Sequence, residues 1–129
     1  MNARLAEAAL DLVGVRYRLH GRDLARGVDC VGLVALAMDR AGYRVAAPCG
    51  YSLRHADVAE LTKVALDHGF VGVEQQGDLV LAMPNPVQPH LLIRTPDGFV
   101  HAHAGLRRVT FLPGALPWRV AAEWRLATE

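Results

Sequence analysis

An aspartate at residue 29 is followed directly by a cysteine at residue 30, and the apolar segment 31–37 comes next. Aspartate is a good helix N-cap, so the pattern predicts a helix whose first turn contains Cys30. Unpaired backbone N–H groups and the positive end of the helix dipole favour the thiolate there, and the thiolate is the nucleophile. Cys30 is therefore a candidate nucleophile. The alternative is a small core residue, as most free cysteines are.

Three of the six histidines flank a turn sequence, Thr-Pro-Asp-Gly at residues 95–98. Proline at the second position is typical of a β-turn, and a hairpin centred there pairs His90 with His103. Because side chains alternate along a strand, His90, His101 and His103 then share one face. We expect His90 and His103 to oppose each other about 5 Å apart at Cβ, with His101 on the diagonal at about 7 Å. The hairpin is predicted to carry the histidines that act together with Cys30.

A zinc site is a second interpretation of this cluster, since three imidazoles on one face are able to hold that metal. It leaves the cysteine at the helix start without a purpose, so we expect no metal and no cofactor. The other histidines, His20, His55 and His68, are expected to be solvated loop or helix-end residues. Trp118 and Trp124 are expected to pack in the core or on a sheet face rather than to form a binding platform.

Composition narrows the class of protein. The chain has 129 residues, 52% of them hydrophobic, and a net charge of +1, which indicates one globular domain over 1–129 and neither a nucleic-acid nor a membrane partner. Two cysteines, Cys30 and Cys49, are too few for a disulfide framework, and Cys49 is expected to be an ordinary thiol. The amphipathic N-terminal segment is unlike a signal peptide, so we expect the chain to be cytoplasmic at synthesis.

The elements that must position these residues change in type at Gly69. Before it, helical spacing predicts helices over 3–13, 30–41 and 57–68, with a loop over 14–28 and an irregular segment around Cys49. After it, turn residues separate six short strand-like segments: 70–74, 78–83, 90–94, 99–103, 107–112 and 119–125. Helices followed by strands without alternation predict an α+β fold, with an antiparallel sheet of five or six strands against which the Cys30 helix packs.

The motifs, in their order along the chain, resemble those of NlpC-type cysteine peptidases. They are Gly14-Val15-Arg16-Tyr17, Asp29-Cys30-Val31-Gly32-Leu33-Val34, Gly77-Asp78-Leu79-Val80, His90 and Phe99-Val100-His101-Ala102. The resemblance runs from about residue 3 to residue 112 and implies a papain-like fold. It also implies an enzyme that cuts peptide bonds in the stem peptides of bacterial peptidoglycan. The chain is most similar to the phage and prophage branch, so tail proteins are further candidate partners. Incorporation into a tail, or release with it, is then expected.

The resemblance also assigns roles to individual residues. Cys30 matches the nucleophile, and His90 matches the general base that takes the thiol proton and later protonates the leaving amine. His101 matches the polar residue that orients the imidazole of His90. Tyr17 matches a tyrosine that contacts the substrate or the oxyanion, and the backbone N–H of Cys30 is the other oxyanion donor. His103 has no counterpart in the family pattern, and from the strand register we expect it nearer the rim, as a substrate contact.

The chain departs from the family pattern at two positions beside the site. Val31 stands where a serine is usual, and Leu92 stands where a glycine is usual. Leu92 faces His101 in the expected pairing, so His103 is an alternative for the orienting role. Two other functions stay open beside the peptidase: a catalytically silent tail-assembly module, and a papain-like amidase or acyltransferase on another substrate. Gly77-Asp78 is expected to be structural.

Overall fold

Three helices come before the main sheet in the part of the chain that the computed structural model describes, residues 1–43, 58–85 and 88–127. They are α1 (Ala3–Asp11), α2 (Cys30–Arg40) and α3 (Val58–Asp67), and a short hairpin, β1 (Arg22–Asp23) and β2 (Gly27–Val28), lies between α1 and α2. The main sheet consists of β3 (Phe70–Val73), β4 (Leu79–Asn85), β5 (Gln88–Thr95), β6 (Gly98–His103), β7 (Arg108–Pro113) and β8 (Arg119–Leu126). The predicted α+β class is confirmed. The predicted irregular segment around Cys49, and His55, lie outside the described residues.

The main sheet is antiparallel throughout, with strand order β3-β8-β4-β5-β6-β7. The predicted hairpin is present, because Thr95 pairs with Gly98 and Ile93 with Val100 around the turn. The short hairpin β1–β2 was not predicted. It arises in the segment expected to be a loop, where Arg22 pairs with Val28.

Capping explains where α2 begins. The side chain of Asp29 accepts a hydrogen bond from the backbone N–H of Gly32 at 2.8 Å, as the N-cap prediction requires. The apolar residues of the helix then form a buried face: Val31, Leu33, Val34, Ala37 and Met38. None of the described helices is long and apolar enough to cross a membrane.

Different parts of the chain pack on the two faces of the main sheet. The face toward the helices, called the helix-side face here, contributes alternate residues to the main core: Leu79, Leu81, Leu91, Ile93, Val100 and Ala102. The opposite face, called the outer face here, carries a second cluster of Val80, Ala82, Leu92 and Phe99, and the β7–β8 connection covers it with Leu116 and Trp118. By strand alternation His90, His101 and His103 belong to the outer face.

A buried aspartate at the start of β4 fastens the two ends of the described chain together. Asp78 accepts hydrogen bonds from the backbone N–H groups of Asn2 and Leu126. These contacts fit the structural role expected for Gly77-Asp78.

The glycine of the Asp-Cys-Val-Gly motif allows a close approach between α2 and the preceding loop. A Cβ atom at Gly32 would overlap the backbone carbonyl oxygen of Gly21. The loop that carries Tyr17 can therefore lie against the first turn of α2 only while residue 32 has no side chain.

Gly32→Ala is expected to lower the free energy of unfolding by about 1–3 kcal/mol, because the helix start or the loop must move to relieve the overlap. Alanine in a helix is intrinsically better than glycine by about 1 kcal/mol, so a net loss isolates the clash. Urea denaturation measures the loss. Gly72→Ala is the matched control, since a Cβ there meets no atom within 4 Å. Equal effects at both positions would contradict the explanation.

Candidate active site

The carboxylate of Asp29 joins the helix start to the loop before it. Asp29 is fully buried. In addition to the capping hydrogen bond from Gly32, its side chain accepts a hydrogen bond from the backbone N–H of His20 at 2.6 Å. The guanidinium of Arg22 also donates to it at 3.3 Å. Burying a carboxylate is costly unless it is paired, and here both oxygens have donors. The loop and the first turn of α2 are therefore one unit around this charge.

Cys30 lies half-buried at the first position of α2, between the helix and strand β5. Backbone N–H groups near its sulfur, including that of Leu91 in β5, act on the thiol pKa in the direction that favours the thiolate. Leu91 follows His90 directly, so the thiol lies against the backbone next to the candidate base. The β5–β6 pairs end at Ile93–Val100, so the stretch of β5 that contacts Cys30 is no longer paired with β6.

The pKa of the Cys30 thiol is opposite in direction to the sequence-based expectation. Burial raises it first and the neighbouring carboxylate of Asp29 second, to about 12, despite the N–H groups of the helix start. The expectation of a thiolate was wrong for the free protein, because burial disfavours the charged form and the residue that caps the helix adds a negative charge beside the sulfur. Cys30 is a neutral thiol at neutral pH.

Tyr17 lies beside this thiol. Burial first, and then the negative charges that Cys30 and Asp29 carry when ionised, together raise the pKa of its phenol to about 12. Its backbone is held by a hydrogen bond from its N–H to the carbonyl of Arg107 at 2.9 Å, so the loop is tied to the start of β7. The phenol is a protonated hydrogen-bond donor, as the expected role requires.

The three strand histidines are together, as predicted. The ring centroids of His90 and His101 are 6.3 Å apart, and those of His101 and His103 are 5.3 Å apart. The expected direct pairing of His90 with His103 lies beyond the last β5–β6 pair. The direct pairing of His90 with His103 is therefore not formed, and β6 stays paired with β7 on its other edge, with His103 opposite Arg108. His101 has both of the other imidazoles as neighbours.

The environment keeps the inner imidazoles neutral. Burial lowers the pKa of His101 to about 4, with His103 and His90 as further causes, and burial also lowers the pKa of His90. His103 accepts the backbone N–H of Leu106 at its Nδ1 atom, 3.1 Å away, so a proton on this ring sits on Nε2. The Nδ1 atom of His101 is buried and has no partner among the described residues.

The structure adds one residue to the site that sequence reasoning missed. Trp118 meets His90 and His101 edge-on, with centroid distances of 6.5 and 5.9 Å. Trp124 is buried in the helix-side core as expected, and Trp118 packs on a sheet face as expected, but Trp118 also covers the imidazoles. No periodicity signals this contact, because Trp118 precedes its strand and reaches the histidines only through the β7–β8 connection.

One of the remaining histidines contradicts the expectation of a solvated residue. His68 is completely buried, and its Nδ1 atom donates to the carbonyl of Val64 at 2.7 Å. It continues the buried stripe of Leu61 and Val64 at helical spacing, one turn past the apolar residues. His20 is exposed, as expected.

The alternative of a zinc site finds no support in the described ranges. No three histidine, cysteine or acidic side chains among them converge as metal ligands do.

Comparison with known proteins identifies the fold. No protein-family model matches the chain, and no similar curated protein is found. NlpC1 from Trichomonas vaginalis superposes with a TM-score of 0.68 at 21% identity, over 97% of this chain and 44% of its own. A lipoprotein-like member of the NLP/P60 family from Staphylococcus aureus gives 0.61 at 17% identity, over 97% and 41%. The peptidoglycan hydrolase RipB from Mycobacterium tuberculosis gives 0.59 at 20%, over 98% and 64%.

These likenesses define the class: the chain has the α+β fold of NlpC/P60 proteins. The chain spans 41% to 64% of the length of these neighbours, so each of them contains more than the part shared with it.

The neutral His101 predicts how stability depends on pH. Between pH 6.5 and about 4 the unfolded chain binds a proton at this histidine and the folded chain does not, so the free energy of unfolding falls as the pH falls. The loss approaches about 3 kcal/mol, at about 1.4 kcal/mol for each pKa unit. Urea denaturation at several pH values measures it. His101→Asn should flatten the slope, and His20→Asn, at an exposed position, should leave it unchanged. An unchanged slope in His101→Asn would contradict the assignment.

The raised pKa of Cys30 predicts its reactivity. Alkylation by iodoacetamide should increase about tenfold for each pH unit between pH 7 and 9 without reaching a plateau, because only the thiolate reacts. Asp29→Asn should accelerate it, since asparagine still caps the helix but carries no charge. Asp23→Asn, an exposed carboxylate of the same loop, is the control. Mass spectrometry of the labelled peptides separates Cys30 from Cys49. A plateau below pH 8 would show that the thiol is already ionised.

Proposed function

We propose that the chain is a cysteine peptidase that hydrolyses peptide bonds in peptidoglycan stem peptides, with Cys30 as nucleophile, His90 as general base and His101 as the residue that orients it. One observation carries the proposal. The Cys30 thiol, at a helix start, lies close enough to the amide that directly follows His90 for that amide to lower the thiol pKa, and a second imidazole stands next to that base. The fold shared with NlpC/P60 proteins, one of them described as a peptidoglycan hydrolase, supports the substrate class.

The resting site holds a neutral thiol and neutral imidazoles, so proton transfer and nucleophilic attack take place together in the first step. Because the thiol meets β5 from the helix side and the His90 ring lies on the outer face, His90 takes the thiol proton by way of one water, through the opening beyond the last β5–β6 pair. At the same time Sγ of Cys30 attacks the scissile carbonyl carbon, and the carbonyl oxygen becomes an oxyanion. The phenol of Tyr17 and the backbone N–H of Cys30 donate to that oxygen. Protonation of His90 is costly where burial lowers its pKa. His101 offsets part of this cost by accepting a hydrogen bond from the imidazolium.

The second half returns the site to its starting state. The carbon–nitrogen bond breaks, the leaving amine takes the proton from His90, and a thioester to Cys30 remains. Water then attacks the thioester carbon while His90 takes one of its protons. The bond to sulfur breaks, the carboxylic acid leaves, and the proton on His90 returns to the thiolate. A proton on His90 is short-lived throughout, which suits a base whose pKa is low.

The biological setting is part of the proposal and rests on the resemblance of the motifs. The chain works in or with a phage or prophage tail, is cytoplasmic at synthesis, and meets peptidoglycan when the tail contacts or leaves a cell. Tail proteins are its protein partners in this proposal.

A catalytically silent tail-assembly module is the second candidate, and one observation favours it. The pKa of Cys30 is raised to about 12 by burial and by Asp29, whereas a working thiol nucleophile needs access to its thiolate. For the chain to be a peptidase, the substrate carbonyl and the base His90 must offset this high thiol pKa at the moment of attack.

Digestion of purified muropeptides, with the fragments identified by mass spectrometry, tests the peptidase. The wild-type chain is expected to release stem-peptide fragments, while Cys30→Ala and His90→Gln reduce the rate at least about a thousandfold, because each removes an essential group. His101→Ala should cost more than His103→Ala if His101 is the orienting residue. Circular dichroism confirms that every variant is folded.

Different outcomes exclude different parts of the proposal. A folded wild-type chain that cleaves no muropeptide supports the silent module. Cleavage that survives His90→Gln removes the Cys–His mechanism, and cleavage lost only in His103→Ala exchanges the roles of the two histidines.

A further inference from the structure

The burial of His101 needs an explanation, because this residue lies on the face of the sheet turned away from the helices. Its side chain is nevertheless only 3% exposed. The cover is the β7–β8 connection, which is anchored where the N–H of Gly114 donates to the carbonyl of Asp97 at 2.9 Å. From there the connection carries Leu116 and Trp118 across the outer face.

Trp118 is the part of this cover that touches the site. Its ring lies edge-on to His101, at 5.9 Å between centroids and 68° between planes, and to His90, at 6.5 Å and 60°. One indole thus contacts both members of the candidate acid–base pair. Edge-to-face packing of this kind stabilises a ring in one orientation.

We propose that Trp118 is a positioning residue of the site: its indole holds the rings of His90 and His101 in place and keeps water away from them. The effect on the imidazoles follows from the geometry alone, and the effect on catalysis rests on the proposed peptidase function. Nothing in the resemblance of the motifs assigns a role to this tryptophan.

No charged group that the structure describes around the imidazoles favours their protonated form, so the exclusion of water is the main influence on their pKa values. Within the described residues, the charges that act on His101 are those of His103 on its own strand and His90 on β5. Arg108 of β7 lies opposite His103 and is exposed. These are all positive or neutral groups, so none of them stabilises a cationic His101.

Acidic groups near the site are engaged elsewhere. Glu123 of β8 is paired with Arg94 of β5 at 2.9 Å, at the other end of the outer face. On the helix side, Asp29 is bound by backbone N–H groups and by Arg22. Burial is accordingly the first cause of the low pKa of His101, and Trp118 supplies part of that burial.

The test measures the histidines directly and then the enzyme. In the full chain, the imidazole C–H signals in NMR are followed against pH, with His101→Asn used for assignment. Trp118→Ala should raise the pKa of His101 from about 4 toward 6.5, because water reaches the ring. Trp118→Phe, which keeps an apolar ring, should give a smaller rise. Trp124→Phe, a tryptophan of the helix-side core, should lower stability and leave the pKa of His101 unchanged.

On muropeptide hydrolysis, Trp118→Ala should lower kcat more than it raises KM. The acidic limb of the kcat/KM profile should move to higher pH, which a purely structural loss would not do. If Trp118→Ala does not fold, Trp118→Val decides the question, since valine keeps a small apolar side chain but leaves most of the space beside the imidazoles open to water.

An unchanged pKa of His101 in a folded Trp118→Ala or Trp118→Val variant would overturn the proposal. A raised pKa in a chain that hydrolyses no muropeptide would instead uphold the role of Trp118 toward the imidazoles and remove the proposed function.

Discussion

The buried carboxylate of Asp29 is the interaction on which the candidate site depends. It begins α2, holds the loop that carries Tyr17, and binds Arg22, all without exposure to solvent. Because an unpaired carboxylate in such a position would cost several kcal/mol, the loop and the helix start cannot separate cheaply. The same charge acts against ionisation of the candidate nucleophile, since with burial it raises the pKa of Cys30. The buried carboxylate that fixes the position of the thiol thus also suppresses its ionisation.

Strand β5 connects the two halves of the site. The thiol approaches it from the helices and contacts the backbone of Leu91, whereas the imidazoles of His90 and His101 lie on the outer face. This arrangement needs the β5–β6 pairing to end at Ile93–Val100, so that backbone N–H groups beyond that point are available to other partners. A regular ladder would have used those groups within the sheet.

Both the acid and the base of the site are neutral at rest. The thiol pKa is raised and the imidazole pKa values are lowered, with burial as the first cause in each case. A stable thiolate–imidazolium pair is therefore disfavoured, and in the proposed mechanism a proton moves only when a substrate carbonyl accepts the new negative charge. In our proposal Trp118 helps to keep the imidazoles neutral on the outer face.

The sequence by itself determined the elements and their local geometry. The N-cap Asp29, the turn at residues 95–98 and the period of two along β5 and β6 placed Cys30 at a helix start and the histidines on one face, because backbone geometry depends on near neighbours. Only the tertiary structure decided the thiol pKa, the burial of His68 and the contact of Trp118 with the imidazoles. Each of these depends on desolvation, which is set by atoms far away in the chain that no local pattern records.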